Sequence, residues 1–88
     1  MASYKLRIKK SAAKELEAIS RKSNRQRVAK RIEALAEDPR PPGCKKLSGS
    51  ERYWVRQGSY RIVYAIEDDE LVIYVVKIED RKSVYSGL

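Results

Sequence analysis

These 88 residues contain no histidine and only one cysteine, Cys44. Without histidine, neither a Ser-His-Asp relay nor a Cys-His pair can be built, and a zinc site of the Cys/His kind is excluded with them. A lone cysteine forms no internal disulfide, and the expectation for Cys44 is a small hydrophobe in a loop. Any proton transfer must therefore fall to Lys, Arg, Tyr, Asp or Glu. Also missing is an apolar run near the roughly 18 residues that a membrane span needs. Lys5, Arg7, Lys9 and Lys10 interrupt the first ten residues, so no signal-peptide core is expected and the cytoplasm is the expected compartment. No cofactor, metal or membrane partner is expected.

What is present fits one domain spanning residues 1–88. Hydrophobic residues make up 42% and charged residues 36%, a balance too apolar for a disordered chain. A chain this short builds a modest core, about one sheet face covered by helices. The net charge of +8 points to a polyanionic partner. Its distribution says more: residues 1–47 carry fourteen Lys/Arg against five Asp/Glu, and residues 48–88 carry six against seven. The first half supplies a long-range positive field, while the second is electrically mixed. Steering and chemistry are expected in different halves.

Residues Tyr4 to Lys9 alternate with a period of two, which reads as a strand with one buried face. Ser11 fits a helix N-cap, with Ala12, Leu16 and Ile19 following at helical spacing. Ser23 to Gln26 has the form of a capping box, and the helix it opens sets Val28, Ile32, Leu35 and Ala36 on one stripe. Arg25, Arg27, Lys30 and Arg31 fall largely outside that stripe, as a solvated face would. Asp38-Pro39 ends the helix, and Pro41, Pro42 and Gly43 continue a stiff connector. Three strands follow, Tyr53–Gln57, Tyr60–Glu67 and Glu70–Ile78, divided by Gly58-Ser59 and Asp68-Asp69. The order is β-α-α-β-β-β. The expected class is α+β, an antiparallel sheet with two N-terminal helices on one face.

Two-residue turns let the strand register be written down. A Gly58-Ser59 loop pairs Gln57 with Tyr60, Arg56 with Arg61, Val55 with Ile62 and Trp54 with Val63. An Asp68-Asp69 loop would set Ile62 against Val75, Val63 against Tyr74 and Arg61 against Val76. The inner face then holds Val55, Ile62, Tyr64, Leu71, Ile73 and Val75. The outer face holds Trp54, Arg56, Arg61, Tyr74 and Val76. Two arginines directly across a strand pair repel by a few tenths of a kcal/mol to roughly 1. That tension is explained either by a nearby acid such as Glu79 or Asp80, or by a demand for anion binding. Aromatic rings beside guanidinium groups favour the second account, since bases stack on aromatics and phosphates take bidentate arginine. Trp54 could also serve only to cover the sheet edge. Arg81 and Tyr85, four residues apart, would share one side of a helical turn, or belong to an ordinary exposed tail.

The run Tyr53-Trp54-Val55-Arg56-Gln57-Gly58-Ser59-Tyr60-Arg61-Ile62-Val63-Tyr64 resembles the central hairpin of the RelE/ParE toxin superfamily. There a basic strand, a Gly turn and a Tyr-Arg-hydrophobic-hydrophobic-Tyr strand occur together. The run Asp80-Arg81-Lys82-Ser83-Val84-Tyr85 is similar to that family's C-terminal His-Arg-Lys-x-hydrophobic-Tyr, and Lys46-Leu47-Ser48-Gly49 after Asp-Pro is similar as well. The likeness runs over nearly the whole chain. It implies a toxin held inactive by a cognate antitoxin, and in the RelE branch an endoribonuclease that cuts mRNA in the ribosomal A site. By position, Arg61, Arg81 and Tyr85 match that branch's catalytic residues. Arg56, Trp54, Lys45 and Lys46 are the expected RNA contacts. Two positions depart from the pattern: Trp54 stands where RelE members carry lysine, and Asp80 where histidine is common. The chemistry implied is attack by a 2′-hydroxyl on the adjacent phosphorus, giving a cyclic phosphate and a free 5′-hydroxyl. Arginine neutralises charge well but is a poor base, its pKa exceeding about 12. Tyr85, Lys45, Lys46 and Asp80 all remain candidates for that role. Two other functions fit the same resemblance: a ParE-like inhibitor of DNA gyrase, and an RNA-binding module without catalysis.

Overall fold

The alternation and helical stripes of the sequence become strands and helices near their expected places, with the last strand running two residues later. A computed structural model describes residues 3–80. The order is β1 (Lys5–Ile8), α1 (Lys10–Glu17), α2 (Lys22–Glu37), β2 (Lys45–Lys46), β3 (Arg52–Gln57), β4 (Tyr60–Glu67) and β5 (Val72–Asp80). The expected α+β class holds. The strands form one sheet in the order β1-β5-β4-β3-β2. It is mixed rather than wholly antiparallel, because β1 runs parallel to β5, from Lys5↔Val72 to Ile8↔Val75. β2, absent from the expected strands, pairs Lys45 with Trp54 and Lys46 with Tyr53. Both edges of the sheet thus carry lysine or arginine, which discourages pairing with another chain.

Ala12 of α1 and Val28, Ile32 and Leu35 of α2 pack with Val55, Ile62, Tyr64, Ile73, Val75 and Ile78 in one buried cluster. Burying a side chain of this size contributes about 1.5–3 kcal/mol. Tyr64, fully buried, donates its hydroxyl to the Pro39 carbonyl at 2.7 Å, with Cys44 Sγ 3.2 Å away. Burial first, and the Cys44 contact second, push the Tyr64 hydroxyl well above the usual tyrosine range. Cys44 is half-buried and packs against the core, in keeping with a small loop hydrophobe.

Neither expected cap forms. α1 begins at Lys10 with Lys9 at the N-cap, and α2 begins at Lys22 with Arg21 there, both without a side-chain cap bond. Ser11 and Ser23 therefore sit inside their helices. The Lys9 N–H is already committed to the Val75 carbonyl at 2.8 Å, so the chain passes from strand to helix with no residue to spare. At the second helix Arg25 Nη1 donates back to the Ile19 carbonyl at 2.8 Å and ties the connection between helices.

The β3–β4 register is the expected one, Gln57↔Tyr60 through Trp54↔Val63, with Gly58 at φ +61°. The β4–β5 register is not. Glu67 pairs with Val72, so the loop has four residues, Asp68 to Leu71, which moves every partner along by two. Further on, Tyr64 pairs with Val75 but Val63 pairs with Lys77, leaving Val76 as an extra, bulged residue. Ile62, Val63 and Arg61 therefore face Ile78, Lys77 and Glu79 rather than Val75, Tyr74 and Val76. Leu71, expected in the core, instead closes the loop at φ 55° and is 39% exposed.

Candidate functional site

The side of the sheet away from the helices carries two short rows of side chains. Cross-strand pairing lines up Arg56, Arg61 and Glu79 over β3, β4 and β5. Two residues away along each strand, Lys45, Trp54, Val63 and Lys77 form a second row from β2 to β5. Side chains two apart on a strand share a face, so both rows belong to one surface. Val63 is 5% exposed and forms an apolar floor, while Lys45, Arg56 and Lys77 are exposed.

The half-buried Trp54 ring is the centre of this surface. Arg61 Cζ lies 5.4 Å from the ring centroid, Lys45 Nζ 5.8 Å and Arg56 Cζ 5.9 Å. Each such contact contributes about 0.5–1 kcal/mol at an exposed site. The three cations also repel one another, and that repulsion has a partner to offset it. Arg61 Nε donates to Glu79 Oε2 at 3.0 Å, and Nη2 donates to the same oxygen. Lys77 Nζ lies 3.7 Å from Glu79 Oε1. The carboxylate is thus set between Arg61 and Lys77, with one oxygen toward each.

The expected site residues divide as follows. Trp54, Arg56, Arg61 and Lys45 come together on this surface. Lys46 does not: it shares a face with Tyr53, and its Nζ lies 3.8 Å from Glu51. Successive strand residues point to opposite faces, so Lys45 and Lys46 could not both join the site. Arg81 and Tyr85 lie outside the described residues. Glu79, expected only as a possible acidic neighbour of the arginines, belongs to the site, and so does Lys77, which was not expected, because the two-residue turn places Val76 where Glu79 stands. A signal was available: Ile73 and Val75 point inward, and so does Ile78, a change of phase that only an extra residue can make. The expected neighbours Tyr74 and Val76 differ in fate, since Tyr74 is 36% exposed and pairs with Ala65, whereas Val76 is buried.

Chemically, the surface offers three cations around one flat ring, with a fourth beside a carboxylate. It suits a flat aromatic group flanked by negative charge. Among the described residues, no group of Cys, Asp and Glu could hold a metal ion. No helix among them is long and apolar enough to cross a membrane.

Known proteins share this architecture. The family model described as the ParE toxin of the type II toxin–antitoxin system, parDE, matches residues 6–85. An Escherichia coli chain described as a RelE-like toxin protein is 28% identical, over 94% of this chain and 90% of its own. Among solved structures, the RelE–RelB complex of Pyrococcus horikoshii is similar with a TM-score of 0.79 and 27% identity, over 90% of this chain and 96% of the other. The isolated RelE toxin of Escherichia coli gives 0.77 and 26%, over 97% and 94%. The protein is a toxin of the type II toxin–antitoxin kind. It belongs to the RelE/ParE superfamily.

Proposed function

We propose that this toxin is a ribosome-dependent endoribonuclease that cleaves mRNA in the A site, and that a cognate antitoxin protein holds it inactive. The observation that carries the reading is the convergence of Lys45, Arg56 and Arg61 on the Trp54 ring, on the open face of a RelE-like sheet. A base stacked on Trp54 would bring its flanking phosphates within reach of those cations. Arg61, with Arg81, would neutralise the phosphoryl oxygens as the 2′-hydroxyl attacks, and Tyr85 would complete the catalytic set. Ribosomal alignment of the message would supply much of the rate, since positioning alone lowers such barriers substantially. The positive field of residues 1–47 would draw the protein to ribosomal RNA in the cytoplasm. The antitoxin reading rests on the family and on the RelB partner present in the Pyrococcus horikoshii complex.

The test is a message translated in an extract supplied with antitoxin-free toxin. Codon-spaced cuts are expected, and an intact message would overturn the reading. Two observations favour a second function, inhibition of DNA gyrase as a binding protein. The matching family model is that of ParE, and Trp54 replaces the lysine found in RelE members. Loss of supercoiling activity with the message untouched would reverse the order.

A further inference from the structure

The free protein holds four cations, Lys45, Arg56, Arg61 and Lys77, on one small surface. Glu79 stands among them with each carboxylate oxygen toward a different cation. A carboxylate and a phosphodiester present the same feature to arginine, two charged oxygens on one centre that match the guanidinium fork. We propose that the space between Arg61 and Lys77 is a phosphodiester seat, and that Glu79 is its built-in occupant, displaced when RNA backbone binds. This rests on the reading of the surface as an RNA site.

Three features support the assignment. The pair is not needed to hold β4 to β5, because the strand pairing continues on both sides of it, at Tyr60↔Asp80 and Ile62↔Ile78. The Arg61 side chain is 40% exposed while that of Glu79 is 15% exposed, so the guanidinium keeps an open edge through which a phosphate can approach. Finally, without an anion among them the cations around Trp54 would repel one another in the free protein. Glu79 relieves that repulsion until a phosphate does so. The consequence is selectivity. A single phosphate must compete with a carboxylate already in place, whereas a strand that also stacks on Trp54 and meets Arg56 and Lys45 brings further contacts to the exchange.

The probe is a short single-stranded RNA made uncleavable by 2′-deoxy substitution, with affinity measured against salt concentration. Glu79→Gln should tighten binding about three- to tenfold at low salt, and steepen the salt dependence by about one released counterion. In an Arg61→Ala background the same change should gain less than about twofold, because the seat is gone. Glu67→Gln, on the same face at the far end of β4, gives the effect of removing a negative charge elsewhere. Weaker binding by Glu79→Gln would overturn the proposal and make Glu79 a strut for Arg61. A gain equal to that of Glu67→Gln, or one undiminished by Arg61→Ala, would reduce it to net charge. No RNA binding by either wild type or Glu79→Gln would sink both the proposal and the RNA-site reading beneath it. RNA binding with an unresponsive Glu79 removes the proposal alone. A measurement on the wild-type chain stands apart from whether the variant folds: the Arg61 Nε–H resonance should move on adding RNA as its acceptor changes, and a stationary resonance contradicts displacement.

Discussion

Two arginines in this toxin lie over aromatic rings and bond to carboxylates, and they are put to different uses. Arg61 sits above Trp54 and bonds Glu79, its cross-strand neighbour on a strand already paired with its own. Arg40 sits 5.2 Å above Tyr53 and bonds Asp68 at 3.0 Å, while Tyr4 donates to the other oxygen at 2.9 Å. Those three groups come from the segment before β1, the connector after α2 and the loop between β4 and β5. Two backbone bonds, Tyr4 N–H to the Ala36 carbonyl at 2.9 Å and Lys5 N–H to the Leu71 carbonyl at 2.7 Å, tie these segments sparsely, and the side chains add to that fastening. Arg40 first, and Tyr4 second, hold the Asp68 carboxyl below its usual range, and the bond to Asp68 raises the Tyr4 hydroxyl. The same pairing chemistry adds a fastener where the backbone is only sparsely connected. Where the backbone is already connected, as between β4 and β5, the proposal is that it exchanges for a ligand.

The comparison can be broken most sharply at Arg61. Arg61→Ala should lower mRNA cleavage by about a hundredfold or more, the usual effect of deleting one transition-state charge stabiliser. Its melting temperature should stay within about 2 °C of wild type, since the β4–β5 pairing continues on both sides of the ion pair. Trp54→Ala should weaken uncleavable RNA by roughly five- to a hundredfold, the range for losing one base-stacking ring. Arg40→Ala should do the reverse of Arg61→Ala, leaving RNA affinity unchanged while lowering the melting temperature by up to about 5 °C.

That last difference should depend on pH in a definite sense. Because the folded Asp68 carboxyl titrates below its ordinary value of 3.8, its contribution is present above that pH and lost as the pH falls further. The raised Tyr4 hydroxyl sets the opposite limit, its contribution being present below its ordinary value of 10.0 and lost as pH rises past it. The alkaline loss at Tyr4 is common to both proteins, so melting curves of wild type and Arg40→Ala should converge at the acid extreme, where Asp68 is protonated, and stay apart at the alkaline one. The smallest effect separates two adjacent lysines. Lys45→Ala should reduce the salt slope of RNA binding by about one, and Lys46→Ala, on the opposite face, should leave it unchanged.

Much of this arrangement was legible in the residues. The stripe Val28, Ile32, Leu35 fixed the face of the second helix, and Gly58 fixed the β3–β4 register that brings Arg56 opposite Arg61. What escaped depended on partners distant in sequence. Nothing in Tyr4 to Lys9 says that this strand lies parallel to the last one. Nor could a two-residue strand at Lys45–Lys46 be told from a loop, because it exists only through its pairing with β3. The most consequential miss was local: Asp68-Asp69 looked like a complete turn, and Val75-Val76 like ordinary alternation. A four-residue loop and a bulge together moved Glu79 into the place assigned to Val76. With that shift, the repulsion between Arg56 and Arg61 acquires an acidic neighbour, one of the two explanations open from the residues alone.

The measurement that bears most directly on the account is primer extension on a message translated in an extract, with wild type, Arg61→Ala and Arg40→Ala run side by side. Codon-spaced cuts are expected with wild type and with Arg40→Ala, and none with Arg61→Ala. An intact message with wild-type toxin, or undiminished cutting with Arg61→Ala, would contradict it.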